Sequence, residues 1–146
     1  MSSVPKQSDI RVKSIDVVVV EDDPDARTLL ETMLTLADFL VRSFDRADTA
    51  FDAIQARVPD VVVTDLRLDG GSAGWTLAEA LRGDPLTHDV ALVAVTGNVA
   101  PARAVVAPFD AYLTKPVDMD VLRELVQHLA NQRRAARGRV RPASQS

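Results

Sequence analysis

Three aliphatic runs constrain the fold of this chain more than any other sequence feature. They lie within residues 15–20, 61–64 and 91–95, and each is rich in β-branched side chains. Runs of this length and composition are typical of strands buried on both faces of a parallel sheet. The aliphatic run Val17 to Val20, like the other two, is too short to span a bilayer.

Segments with helical periodicity separate the aliphatic runs. The first predicted helix carries its apolar face at Ala26, Leu29, Leu30, Met33, Leu34 and Ala37, spaced for one side of a helix. Further helices are predicted between residues 47 and 58, around 77–81, weakly over 97–109, and from about 118 onward. Short strands at 41–44 and 111–114 complete an alternating β-α order. This order predicts an α/β fold: a five-stranded parallel sheet in a flavodoxin-like, doubly wound (βα)5 three-layer sandwich.

The length of 146 residues and the charge pattern predict one domain with two tails. Residues 15–132 form the predicted domain and hold 9 basic and 20 acidic side chains, a balance that disfavours nucleic-acid binding by this part. Residues 1–14 are expected to be a disordered N-terminal tail, and residues 133–146, with five arginines and no acid, a basic disordered C-terminal tail. No segment resembles a signal peptide or a membrane span, so we expect a soluble cytoplasmic protein.

Polar side chains follow the predicted strands where a parallel sheet binds its ligands, at the carboxyl ends. Glu21, Asp22 and Asp23 follow the first run, Asp65 the run at 61–64, Thr96 the run at 91–95, and Lys115 the last strand. Two carboxylates about 5 Å apart would repel by roughly 3 kcal/mol at an effective dielectric constant of 20. A Mg²⁺ ion would offset that repulsion, and Lys115 offers a second positive charge. Such a group of side chains could receive a phosphoryl group, with Asp65 as the nucleophile.

Four dispersed motifs, and their order along the chain, resemble the receiver domain of two-component response regulators. They are V-V-V-V-E-D-D-P, V-V-V-T-D-L-R-L, V-A-V-T-G and Y-L-T-K-P, and the resemblance covers about residues 15–130. The resemblance implies that Asp65 is the phosphoacceptor, with Thr96 and Lys115 assisting. It also implies that Glu21, Asp22, Asp65 and the Arg67 carbonyl bind Mg²⁺. Thr96 would be the switch hydroxyl, Tyr112 the rotating aromatic ring, and the Lys115–Pro116 bond cis.

The family's mechanism implies a phosphorylatable switch, and we expect it to stand alone as a single domain because no residues remain for an output domain. A histidine kinase or histidine phosphotransfer protein would supply the phosphoryl group, and the domain would catalyse only its own phosphorylation and dephosphorylation. A downstream protein would recognise the phosphorylated form by binding the surface of the fourth helix, fifth strand and last helix. Whether the domain also forms a homodimer is left open by the sequence. Only 19 positions separate Thr96 from Lys115, fewer than is common in the family, so the fourth helix is expected to be short or absent.

Two other functions stay open at this point. A receiver-like scaffold could bind proteins without being phosphorylated. A phosphatase of the haloacid dehalogenase type also uses an aspartate after a parallel strand, but it needs a second aspartate two residues later, where this chain has Arg67.

Overall fold

The computed structural model describes residues 14–68, 71–97 and 108–145, and its centre is one parallel sheet. The strands are β1 (Asp16–Val20), β2 (Leu40–Phe44), β3 (Val61–Asp65), β4 (Ala91–Thr96) and β5 (Ala111–Thr114). Their spatial order is β2-β1-β3-β4-β5, and every neighbouring pair is parallel. The predicted five-stranded parallel sheet is therefore confirmed.

Four helices occupy the described residues: α1 (Pro24–Leu36), α2 (Ala47–Ala56), α3 (Ala73–Gly83) and α4 (Met119–Gln145). The weak helical segment predicted over 97–109 lies mostly outside the described residues, as does the predicted tail up to residue 13. None of the helices in the described ranges is both long and apolar enough to cross a membrane.

Alternate residues of the central strands point into two separate core layers. Val18 and Val62 lie on the face covered by α2 and α3, where they pack with Ile54 and Leu81. On the other face Val17, Val19, Val61 and Val63 pack against α1 and α4 through Leu30, Leu34, Leu122 and Val126. All of these strand valines are at most 1% exposed. Burial on both faces explains why the sequence shows unbroken aliphatic runs rather than alternation.

The last helix corrects the predicted C-terminal boundary. The prediction of a disordered tail from residue 133 is wrong, because α4 continues to Gln145. Three of the arginines after residue 132 are held by acids at the amino ends of the strands: Arg133 and Arg134 both pair with Asp60, and Arg137 pairs with Asp89. Asp60 is only 7% exposed. These partners lie far away in sequence, so local composition could not reveal them.

The Asp60 carboxylate is the centre of this ionic cluster. It accepts the Asp16 N–H at 2.9 Å and an Arg134 N–H at 2.8 Å. Burial alone would raise the pKa of Asp60, but the hydrogen bonds from Arg134 and Asp16 outweigh burial and hold the pKa below its usual value. The cluster thus fixes residues 133–137 of α4 to the edge of the sheet opposite the strand carboxyl ends.

Candidate functional site

The parallel register brings the chemically active residues to the carboxyl edge of the sheet. Val20 lies beside Thr64, so Glu21 and Asp65 follow on neighbouring strands. Asp65 is in register with Val95, the residue before Thr96. On the far side Thr96 pairs with Thr114, which precedes Lys115. Residues from four separate strands therefore meet at one site.

Three carboxylates form an acidic cluster at this edge. Glu21, Asp22 and Asp65 each offer an oxygen, and these oxygens lie within 4.8 Å of one another. Glu21 is 1% exposed and Asp65 is 8% exposed. Charged groups buried to this degree need a counter-charge, because water no longer screens their repulsion.

Lys115 supplies one such counter-charge by bridging two of the acids. Its Nζ donates to Glu21 Oε1 at 2.9 Å and to Asp65 Oδ2 at 3.0 Å. Burial would lower the pKa of Lys115, but its hydrogen bonds to Glu21 and Asp65 outweigh burial and raise the pKa above 10.5. The pKa of Glu21 is raised by burial, although the hydrogen bond from Lys115 counteracts part of that effect. The Lys115–Pro116 peptide bond is cis, as the resemblance implied.

The backbone around Asp65 fixes its position in the site. The Arg67 N–H donates to Asp65 Oδ1 at 2.9 Å, and the Leu66 N–H donates to the Val95 carbonyl at 3.0 Å. Gly74, at the start of α3, lies so close that an added Cβ would be 2.1 Å from the Asp65 carbonyl oxygen. A residue with any side chain at this position would displace the backbone that carries Asp65.

The first turn of α1 positions Glu21. Asp23 is the N-cap of this helix, and its Oδ2 accepts the Ala26 N–H at 2.8 Å. The Asp23 N–H in turn donates to Glu21 Oε2 at 3.1 Å. Arg27, to which the sequence analysis gave no role, donates from Nη1 to the Glu21 carbonyl at 3.0 Å. The sequence feature that could have pointed to Arg27 is its position as a lone cation in the acidic first turn of this helix, six residues after Glu21.

The two predicted switch residues lie on neighbouring strands. Thr96 ends β4 and is 3% exposed, whereas Tyr112 on β5 is 36% exposed. The Thr96 carbonyl accepts the Lys115 N–H at 2.7 Å, which ties the end of β4 to the site lysine. The segment between these strands, 98–107, lies outside the described residues.

The acidic cluster fits the donor chemistry of Mg²⁺. This ion prefers a small number of carboxylates together with carbonyls and water, all of them hard oxygen donors. Glu21, Asp22 and Asp65 supply three carboxylate groups on one side of the site. The residues present therefore suit the ion that the sequence predicted.

Comparison with known proteins agrees with this geometry. The family model described as response regulator receiver domain matches residues 17–127. An uncharacterized 14.6 kDa protein of Leptolyngbya boryana is 34% identical over 116 residues, covering 77% of this chain and 88% of that protein. The response regulator protein PilR of Pseudomonas aeruginosa is 34% identical over 110 residues, covering 75% of this chain but 24% of PilR.

A solved structure shows the same architecture. The response regulator receiver domain (CheY-like) from Methylobacillus flagellatus superposes with a TM-score of 0.69 at 27% identity. The superposition covers 80% of this chain and 99% of that structure. The described fold is thus the fold of that domain, and the match to PilR spans about a quarter of the length of PilR.

Proposed function

The chain belongs to the response regulator receiver domain family, and on that premise we propose that Asp65 accepts the phosphoryl group in this two-component signalling switch. The observation that carries the assignment is the set of contacts around Asp65. Its Oδ2 is 3.0 Å from the Lys115 ammonium, and its carboxylate shares the acidic cluster with Glu21 and Asp22. The family match does not support the haloacid dehalogenase alternative.

The transfer step is a displacement at phosphorus. One carboxylate oxygen of Asp65 attacks the phosphohistidine of a histidine kinase or histidine phosphotransfer protein, so that a P–O bond forms and the P–N bond breaks. The electron pair of the broken bond stays on the imidazole nitrogen, and the histidine leaves neutral when its ring carries one proton. Catalysis of such transfers depends mainly on positioning and on neutralising the phosphoryl oxygens.

The side chains around Asp65 have separate proposed roles. Glu21, Asp22, Asp65 and the Arg67 carbonyl would hold Mg²⁺, which supplies positive charge beside the phosphoryl group. Lys115 is already within hydrogen-bond distance of Asp65 and can move its ammonium to a phosphoryl oxygen.

The proposed response to phosphorylation passes through β4 and β5. Thr96 donates its hydroxyl to a phosphoryl oxygen, and Tyr112 turns from its exposed position toward the space that Thr96 leaves. The buried position of Thr96 and the exposure of Tyr112 support this sequence of events. A downstream protein then binds the altered surface. The equilibrium between the conformations before and after these movements shifts only by the difference between the contacts that the phosphoryl group makes in each.

Labelling by acetyl phosphate tests the assignment. Wild type, Asp65→Asn and the control Asp120→Asn are incubated with acetyl phosphate and Mg²⁺, and intact-mass spectrometry measures the phosphoryl group gained. Asp120 is a suitable control because its side chain is 88% exposed. We expect labelling of wild type and of the control but not of Asp65→Asn. An unlabelled wild type would favour the scaffold alternative, and equal labelling of Asp65→Asn would refute Asp65 as the acceptor.

A further inference from the structure

We propose that Arg27 is a positioning residue for the metal-binding acids and acts through the backbone carbonyl of Glu21. This inference rests on the magnesium site proposed above. Arg27 is not a ligand, because its guanidinium is cationic; it orients the segment that carries the ligands.

Arg27 holds the acidic segment at two points. Its Nη1 donates to the Glu21 carbonyl at 3.0 Å, and its own N–H donates to the Asp23 carbonyl at 2.9 Å. Asp22 lies between these two carbonyls. On the strand side, the Glu21 N–H donates to the Phe44 carbonyl at 3.0 Å. The Glu21 backbone is therefore fixed by β2 on one side and by Arg27 on the other.

The Glu21 carbonyl needs such a partner because Glu21 is almost fully buried, with 1% exposure. It follows the last residue of β1, and a buried carbonyl without a donor is costly. Without the guanidinium, the turn from β1 into α1 would rearrange to find another donor or water. That rearrangement would move the carboxylates of Glu21 and Asp22, and Mg²⁺ requires near-ideal octahedral geometry.

The sign of the effect separates positioning from simple electrostatics. A guanidinium near a cation site repels the cation, so removing its charge should by itself tighten Mg²⁺ binding. If Arg27 instead serves to orient the ligands, removing it should weaken Mg²⁺ binding. The two explanations thus predict opposite changes in affinity for the same substitution.

The experiment measures Mg²⁺ binding to the full chain by isothermal titration calorimetry, without any phosphodonor. The variants are Arg27→Gln, Arg27→Lys and the control Arg123→Gln, which removes a cation that pairs only at 3.7 Å with Asp120. We expect affinity to fall about tenfold in Arg27→Gln. In Arg27→Lys, which keeps a donor on a shorter reach, we expect a fall of about threefold, and the control should match wild type.

A second readout is the Mg²⁺ dependence of acetyl phosphate labelling. The half-saturating Mg²⁺ concentration should rise by about the same tenfold in Arg27→Gln, while the rate at saturating Mg²⁺ stays within about twofold of wild type. General destabilisation would not raise the half-saturating Mg²⁺ concentration while leaving the rate at saturating Mg²⁺ nearly unchanged. Urea unfolding shows whether each variant is folded. If Arg27→Gln is unfolded, the Mg²⁺ affinity of Arg27→Lys tests the role of Arg27 instead.

Unchanged or tighter Mg²⁺ binding in the folded variants would overturn the role of Arg27, as would an equal loss in Arg123→Gln. That result leaves wild-type binding and labelling intact, so it is distinct from failure of the proposed function. Wild type that binds Mg²⁺ but is not labelled would refute the function alone. Wild type that binds no Mg²⁺ would refute both.

Discussion

Replacing Lys115 with Met should leave two buried carboxylates without their shared ammonium. Lys115 Nζ lies 2.9 Å from Glu21 Oε1 and 3.0 Å from Asp65 Oδ2, and those acidic side chains are 2% and 10% exposed. Removing one partner of a buried ion pair costs about 3–5 kcal/mol. Because the Lys115 side chain is 32% exposed, water can replace part of the interaction. We therefore expect a loss of about 2 kcal/mol in the free energy of unfolding near neutral pH.

The pH dependence of this loss follows from the pKa directions. Burial raises the pKa of Glu21 above 4.5, and without the hydrogen bond from Lys115 it should rise further. An acid with a raised folded pKa destabilises the fold when it is ionised, so the deficit of the variant should shrink as the pH falls through the folded pKa of Glu21 toward 4.5, with little further change below 4.5. The raised pKa of Lys115 affects the stability of wild type at alkaline pH. Its stabilising contribution is complete below 10.5 and is lost as the pH rises through the folded value.

Urea unfolding of wild type, Lys115→Met and the control Arg123→Met at neutral and acidic pH would measure these effects. Millimolar Mg²⁺ should restore part of the lost stability in Lys115→Met, because a cation that binds only the folded acids stabilises that state. A deficit below about 0.5 kcal/mol, within the range of ordinary surface substitutions, would refute the reasoning. So would a deficit that is equal at both pH values or equal in the control.

Two further substitutions test the framework of the site and of the last helix. Gly74→Ala should lower the free energy of unfolding by about 3 kcal/mol and slow labelling by acetyl phosphate, because its Cβ would meet the Asp65 carbonyl oxygen at 2.1 Å. Gly83→Ala on the same helix meets nothing within 4 Å and should be neutral or stabilising, and equal effects of the two in urea unfolding would contradict this expectation. Asp60→Asn should cost about 2–3 kcal/mol near neutral pH, since it leaves two arginines of α4 with a weaker partner. Because the folded pKa of Asp60 lies below 3.8, this difference should persist down to that pH and vanish as the pH falls through the folded value; a difference unchanged in acid would rule out the ionic cluster as its cause.

The sequence was most informative where one local pattern has one structural solution. An aliphatic run such as Val61–Val63 is typical of a strand buried on both faces, inside a parallel sheet covered by two helical layers. Polar residues such as Glu21 and Asp65, placed directly after such runs, then had to meet at the carboxyl edge. For this reason the five strands, the acidic cluster and the nearby Lys115 were all predictable before any coordinates.

The sequence was least informative where a residue's partner is remote. Arg133 and Arg134 suggest a solvated tail by composition, yet each contacts Asp60, more than 70 residues earlier. The contacts of Arg82 are hidden in the same way, since its guanidinium donates to the Pro108 carbonyl and to the Asp110 carboxylate, more than 25 residues later. No local pattern indicates a contact that forms only when distant segments are brought together.

The order of hydrophobic and polar residues by itself determined the sheet, its layers and the edge at which the charged groups gather, because burial of aliphatic strands leaves few alternatives. Only the tertiary structure decided how those groups are held. Lys115 bridges Glu21 and Asp65, Arg27 supports the Glu21 carbonyl, and Gly74 lies against the Asp65 backbone. Hydrogen bonds and close packing act over about 3 Å, and distances on that scale are set by the complete fold rather than by spacing along the chain.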